Sequence, residues 1–308
     1  MVIFKTFSFI AIFIFASMSL SAQNSMMDLD SLFQEGMHHM DQYDYKKAAE
    51  CFYACQREEN DQPRYHYYLA QAYEQLGNIQ DARIFYRKAY SLDSLQVRYI
   101  MALGNIEIKR RDYWAAREYF EGLIKLDSTN SFYYKQIGKT CYYGNDMPCA
   151  IQSFQYSLYY NNRDLEATGM LAQIYYENQD YDICLDWIRK GLLLDDRNPK
   201  FLNLKLKSEV KSEAYEDAVV TAELILESQD SSSQTLKYYG IALCKTEEYE
   251  KSIDILLPLV DSQEDEGIHY FLSESYAALD QPQKSIEHLE DAAYRFGIGP
   301  MVWRYFHN

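Results

Sequence analysis

Pro63-Arg-Tyr-His-Tyr-Tyr-Leu-Ala-Gln-Ala-Tyr-Glu-Gln-Leu-Gly-Asn-Ile-Gln-Asp-Ala-Arg-Ile-Phe-Tyr-Arg-Lys-Ala-Tyr90 decides the fold of this chain. Ala82, Phe85, Tyr86 and Ala89 recur at steps of three and four, which places them on one helical face. With Pro63 as position 1, Leu69-Ala70 stand at 7 and 8, Tyr73 at 11, Ala82 at 20, Tyr86 at 24 and Ala89 at 27. The same residue classes return every 34 residues in the next stretches. From Val97 they are Ile100, Leu103-Gly104, Tyr113, Ala116 and Phe120. From Ser131 they are Tyr134, Ile137-Gly138, Cys141, Ala150 and Phe154, and from Leu165 they are Leu171-Ala172, Tyr175, Tyr181, Cys184, Ile188 and Gly191. Upstream, Leu29 opens a copy with Leu32, Gly36, Tyr45, Ala48 and Phe52.

Three weaker copies follow. From Pro199, Tyr215 and Ala218 keep phase while Leu206 replaces the small residue at position 8. From Ser233, Tyr239-Gly240, Tyr249, Ser252 and Leu256 fit. The last fits best from Glu266, one residue early, with Leu272-Ser273, Tyr276, Ser285, Leu289 and Ala292. Breakers such as Leu92-Asp93-Ser94, Leu126-Asp127-Ser128 and Asn198-Pro199 mark helix ends. Pro148 and Pro282 fall in the first turn of a second helix, where a missing N–H costs little.

This pattern resembles the tetratricopeptide-repeat (TPR) family over about residues 29–299, as eight repeats: 29–62, 63–96, 97–130, 131–164, 165–198, 199–232, 233–265 and 266–299. The resemblance implies an all-α fold, a right-handed superhelical solenoid of antiparallel helix pairs forming one continuous array. One pair cannot bury its own apolar stripe, but stacked neighbours can. It also implies a concave groove lined by positions 2, 5, 6, 9, 12 and 13 of each first helix. Those positions hold Arg98, Asn105, Lys109, Lys135, Gln136, Lys139, Lys200, Asn203, Lys207, Lys211, Lys237 and Lys245. Glu166 and Glu177 are the main acidic interruptions, and Tyr67, Tyr68, Phe132, Tyr142, Tyr143, Tyr176, Tyr238, Tyr270 and Phe271 supply aromatics. The expected ligand is a peptide or protein segment, with carboxylates meeting the cations. The competing reading is a solvated helix face on which lysine is common. The clamp by which some family members hold a C-terminal aspartate is not carried over: its frame would start at Lys135 and Lys139 but meets Met170 and Leu204 at polar positions.

The chain has 308 residues, 48% hydrophobic and 25% charged, enough for a buried core. Twelve Gly and six Pro are too few for a sheet protein punctuated by tight turns. A net charge of −16 argues against a nucleic-acid partner, which needs clustered Lys and Arg. Residues 1–22 read as a secretory signal peptide: Lys5, an apolar run from Thr6 to Leu20, then Ser21-Ala22. An uncleaved anchor is the alternative. Cleavage would leave no integral membrane span. Pro300, Trp303 and Phe306 occupy positions 1, 4 and 7 of a ninth copy, so residues 300–308 read as a helical cap, or else as an aromatic end that docks a partner.

No GxGxxG, Walker or HExxH motif occurs, so the expectation is a protein that is not an enzyme, with no cofactor and no metal. His38-His39 point along different helix directions, and His66, His269, His288 and His307 are scattered. Six cysteines enter a compartment expected to be oxidising. Cys141 and Cys149, at positions 11 and 19 of one hairpin, are the best disulfide candidate. Cys51 and Cys55 lie one turn apart in poor geometry, and small-core packing is the alternative role for every cysteine. The function expected is a scaffold or adaptor in a bacterial cell envelope, periplasmic or outer-membrane associated. The alternatives are a glycan or small-ligand binder using groove tyrosines, and a structural subunit of a secretion or outer-membrane assembly complex.

Overall fold

The computed structural model describes residues 29–228, 232–260 and 266–296. Residues 1–22, read above as a signal peptide, and residues 300–308, read as a cap, lie outside the described residues. Sixteen α-helices are present among the described residues, with no strand. Helix α1 covers 29–41. It is followed by α2 (Tyr45–Glu58), α3 (Pro63–Gln75), α4 (Ile79–Leu92), α5 (Val97–Lys109), α6 (Tyr113–Leu126), α7 (Ser131–Tyr143) and α8 (Met147–Tyr160). Then come α9 (Leu165–Glu177), α10 (Tyr181–Leu192), α11 (Pro199–Lys211), α12 (Tyr215–Glu227), α13 (Ser233–Lys245), α14 (Tyr249–Leu256), α15 (Glu266–Ala278) and α16 (Pro282–Phe296). A 3₁₀ turn, Leu257–Leu259, extends α14. The helices group into two compact units divided after Tyr160. Each unit holds four helix pairs, and within each unit consecutive helices pack on one another. No helix of the described residues is long and apolar enough to cross a membrane.

Every pair turns through the same three-residue device. The residue at position 15 is left-handed: Tyr43, Gly77, Arg111, Asn145, Gln179, Glu213, Glu247 and Asp280. Its neighbour at position 16 donates its N–H back to the carbonyl at position 11, as in Asp44 to His39, Asp112 to Glu107 and Gln281 to Tyr276. These are the hydrogen bonds of a Schellman C-cap, which satisfy carbonyls the helix end leaves open. In three pairs the position-16 side chain then caps the next helix. Asp44 accepts from Lys47 N, Asp112 from Ala115 N and Asp146 from Cys149 N. Only Gly77 adopts the left-handed conformation without a Cβ penalty; at the other seven positions the strain, about 1 kcal/mol each, is carried by the surrounding packing.

Packing within a pair centres on positions 8 and 24. A Cβ added to Gly104 would lie 2.3 Å from Phe120, one on Gly138 2.8 Å from Phe154, and one on Gly240 2.4 Å from Leu256. The missing side chain is therefore what lets the aromatic or leucine of the second helix seat against the first. The sixth pair inverts the arrangement. Leu206 takes the position usually held by a small residue, and Ala222 takes position 24; both are buried in one cluster. The large and small partners have exchanged helices, which conserves volume across the contact.

Candidate functional site

In the first unit, the predicted groove residues come from α5 and α7. The first helices α3 and α5 lie side by side, with Tyr67 and Tyr99 ring centroids 5.1 Å apart. The Arg98 guanidinium sits 6.0 Å from the Tyr67 ring and 5.8 Å from the Tyr99 ring. Lys135 Nζ lies 6.0 Å from the Phe132 ring. Both fall within cation–π reach. Asn105 is exposed, Lys139 and Tyr142 are half-buried, and Tyr142 meets Tyr143 edge-on at 5.6 Å. Lys109 Nζ is 2.7 Å from Glu74 Oε1, while Glu74 Oε2 accepts the Tyr86 hydroxyl at 2.6 Å. Burial, with Glu74 beside it, pushes the Tyr86 hydroxyl far up, so it stays a donor.

The second unit repeats the theme on α11 and α13, which pack together. Asn203 accepts from the Thr235 hydroxyl at 3.1 Å and donates to the Pro199 carbonyl at 2.9 Å, so it ties the two helices. Lys237 Nζ lies 5.9 Å from the Tyr238 ring. Burial, and Tyr238 next to it, push the Tyr176 hydroxyl up to about 12. Lys207 is half-buried and Lys211 exposed. Among the described residues neither lysine is ion-paired. Lys245 Nζ grips both oxygens of Glu274, at 2.6 and 2.8 Å, over the Phe271 ring.

Glu74 at position 12 and Glu274 at position 9 correct the expectation that acids are scarce on this face. Each already occupies a lysine, so Lys109 and Lys245 have less charge to offer a ligand than the sequence suggests. Three of the groove cations share a pattern: Arg98, Lys135 and Lys237 each lie over an aromatic ring from their own or the neighbouring first helix. That arrangement sets positive charge beside an apolar ring face.

Two features escaped the sequence reading. Glu107 and Glu209 occupy position 11, where other repeats place Tyr73, Cys141 and Tyr175. Glu107 is fully buried; it accepts from Arg83 Nε at 2.6 Å and is ion-paired with Arg110. Glu209 pairs with Lys205 at 3.1 Å, and burial pushes its carboxyl above the ordinary range. An acid at a repeat position otherwise filled by core side chains was the signal. Glu107 also lines an open cleft of about 450 Å³ in the first unit, with Arg83, Arg87, Tyr90, Trp114 and Tyr119. The cleft opens between the second helices α4 and α6, and Trp114 is 71% exposed there.

The cysteines divide into two kinds. Cys141 and Cys149 are joined across the α7–α8 turn, with Cα atoms 5.8 Å apart. Cys55, Cys184 and Cys244 are buried free thiols. Burial pushes Cys55 and Cys244 up to about 11, so they remain protonated core residues. Cys51 is a half-buried free thiol one turn from Cys55. We propose that the Cys141–Cys149 bond forms when the protein is in an oxidising compartment. Mass spectrometry of the peptide spanning both residues is expected to show a gain of two hydrogens on reduction. An unchanged mass, with both thiols alkylated beforehand, would contradict the assignment.

Residues 33–97 match the tetratricopeptide repeat family model. No curated protein matches the sequence. Among solved structures, the chain is similar to the C-terminal part of a TPR repeat-containing protein from Cytophaga hutchinsonii, at TM-score 0.57 and 16% identity over 88% of this chain and 98% of that one. It is also similar to Pseudomonas aeruginosa pilF, at TM-score 0.52 and 16% identity over 68% and 96% of the two chains. A chain of the APC/C hetero-tetramer Cut9–Hcn1 matches at TM-score 0.50 and 13% identity over 84% of this chain and 51% of that one. Tetratricopeptide repeats are generally protein-interaction modules without catalytic groups. Residues 33–97 thus carry the tetratricopeptide repeat in sequence, and the helix pairs share the fold of tetratricopeptide-repeat proteins.

Proposed function

We propose that this chain is a non-enzymatic scaffold or adaptor that holds a peptide or protein segment along its first helices, and that it does so in a bacterial cell envelope. The observation that carries the binding reading is the recurring cation-over-aromatic pair: Arg98 with Tyr67 and Tyr99, Lys135 with Phe132, Lys237 with Tyr238. Such pairs present apolar faces for burial and positive charge for carboxylates on one surface. The ligand favoured is an extended acidic segment. The envelope placement rests on the sequence of residues 1–22 alone.

A second reading has its own observation. The cleft with exposed Trp114 lies on second helices, so a structural subunit docked through that side would use different residues. Affinity capture from envelope extract separates the two. With Lys135, Lys139, Lys207 and Lys211 all changed to Glu, capture of the acidic partner is expected to fall at least about tenfold in a mutant that keeps its helical circular dichroism. Equal capture by parent and mutant would end the acidic-groove reading. Loss on Trp114→Ala alone would move the site to the cleft.

A further inference from the structure

His269 on α15 and His288 on α16, scattered in the sequence, meet in the last helix pair with their Nδ1 atoms 3.5 Å apart. Asp291 follows His288 by three residues on the same helix, hence on the same face. One ligand atom from each of the three lies within 4.8 Å of the other two. We propose that His269, His288 and Asp291 form a binding site for one divalent transition-metal cation of the zinc class.

The geometry is that of a metal site before the cation arrives. Zinc holds imidazole nitrogen at about 2.0–2.1 Å, so two ligands on a tetrahedral ion stand about 3.3–3.4 Å apart. The two imidazoles already stand at nearly that separation. The Asp291 carboxylate, within 4.8 Å of an imidazole nitrogen of each histidine, completes a set of two nitrogens and one oxygen, leaving the fourth position for water, as in three-ligand zinc sites. Two ligands at i and i+3 on one helix and a third from the facing helix is how helical bundles build such centres. Oxygen-preferring calcium and magnesium fit this donor set poorly.

The surroundings hold the ligands in place. The His288 ring stacks on Tyr276 at 5.5 Å and 7°. Tyr276 is buried and carries Lys284 Nζ 5.0 Å over its ring. His269 is buried, and the two imidazole planes are tilted by 57°. Two other clusters of metal-type ligands occur among the described residues, and both are weaker. Glu35, His39 and Cys51 offer a single imidazole, and in Cys141, Asp146 and Cys149 the two sulfurs are joined. Without metal, one Nδ1–H can donate to the other ring. A cation replaces that single proton and fastens α15 to α16, the last pair of the array.

The test uses the full chain without a histidine tag, stripped with chelator and then titrated with Zn²⁺ in a calorimeter and with Co²⁺ in a spectrophotometer. One equivalent of Zn²⁺ is expected to bind, and Co²⁺ is expected to give visible ligand-field bands without a near-ultraviolet thiolate band. His288→Phe, which preserves the stack on Tyr276, is expected to weaken binding by more than about 100-fold. Asp291→Asn, at a partly exposed position, is expected to weaken it about tenfold while the helical circular dichroism stays unchanged. Cys51→Ser is expected to bind as the parent does. No saturable uptake by the parent would overturn the proposal. So would binding that survives His288→Phe, or binding lost in Cys51→Ser.

Discussion

Phe120→Ala is expected to destabilise the third helix pair by about 3–5 kcal/mol, the range for truncating a fully buried aromatic. Phe120 has no exposed surface, and it seats directly on the Gly104 backbone. The cost has two parts: lost apolar burial, and a cavity whose walls are two helices held at fixed spacing by their turn. The same contact predicts a change of sign. In the parent, a Cβ at position 104 would stand 2.3 Å from Phe120, so Gly104→Ala forces the pair apart. In the Phe120→Ala background the space is open, and Gly104→Ala should gain the helix propensity that alanine holds over glycine, about 1 kcal/mol. A repeat array does not unfold as one two-state unit, so local hydrogen exchange of α5 and α6 is the suitable readout. Additive effects of the two substitutions would show that this contact does not set the helix spacing.

Glu107→Ala is expected to cost about as much, roughly 3–5 kcal/mol, by a different mechanism. The carboxylate is fully buried between Arg83 from α4 and Arg110 at the end of its own helix, and each guanidinium is less than a quarter exposed. Removing it leaves two poorly hydrated positive charges facing one another. Glu107→Met combined with Arg83→Met and Arg110→Met should recover much of the loss, because a buried ion network is replaced by apolar surface of similar volume. Urea titration of the parent, the single variant and the triple variant checks this. If Glu107→Ala alone proves neutral, the triad is not holding α4 to α5.

The repeat was legible because the same contact is made in each pair. Gly36, Gly104, Gly138 and Gly240 face Phe52, Phe120, Phe154 and Leu256, and a fixed helix–turn–helix length holds those partners 16 residues apart. The turns were not legible as such. Seven of the eight left-handed residues are not glycine, since the Schellman hydrogen bonds and the following N-cap impose the conformation from outside the residue. Leu206 looked like a lapse in the pattern because its compensating change, Ala222, lies 16 residues away. The groove cations could be placed on helix faces from spacing alone. What spacing could not give was their partners: Glu74 reaches Lys109 across 35 residues, and Glu274 reaches Lys245 across 29. His269 and His288 escaped for the same reason, being neighbours only once α15 and α16 fold back on each other.

The central claim, that ligand runs along the first helices, is tested most directly by placing a photo-crosslinking amino acid at single positions and mapping the captured partner. Asn105 and Lys139 sample the first helices of the first unit and Lys211 those of the second, while Trp114 and the exposed Val220 sample second helices. Crosslinks to one partner from Asn105, Lys139 and Lys211, with none from Trp114 or Val220, are the predicted result. Crosslinks confined to Trp114 or Val220 would contradict it and assign recognition to the opposite side of the helix pairs.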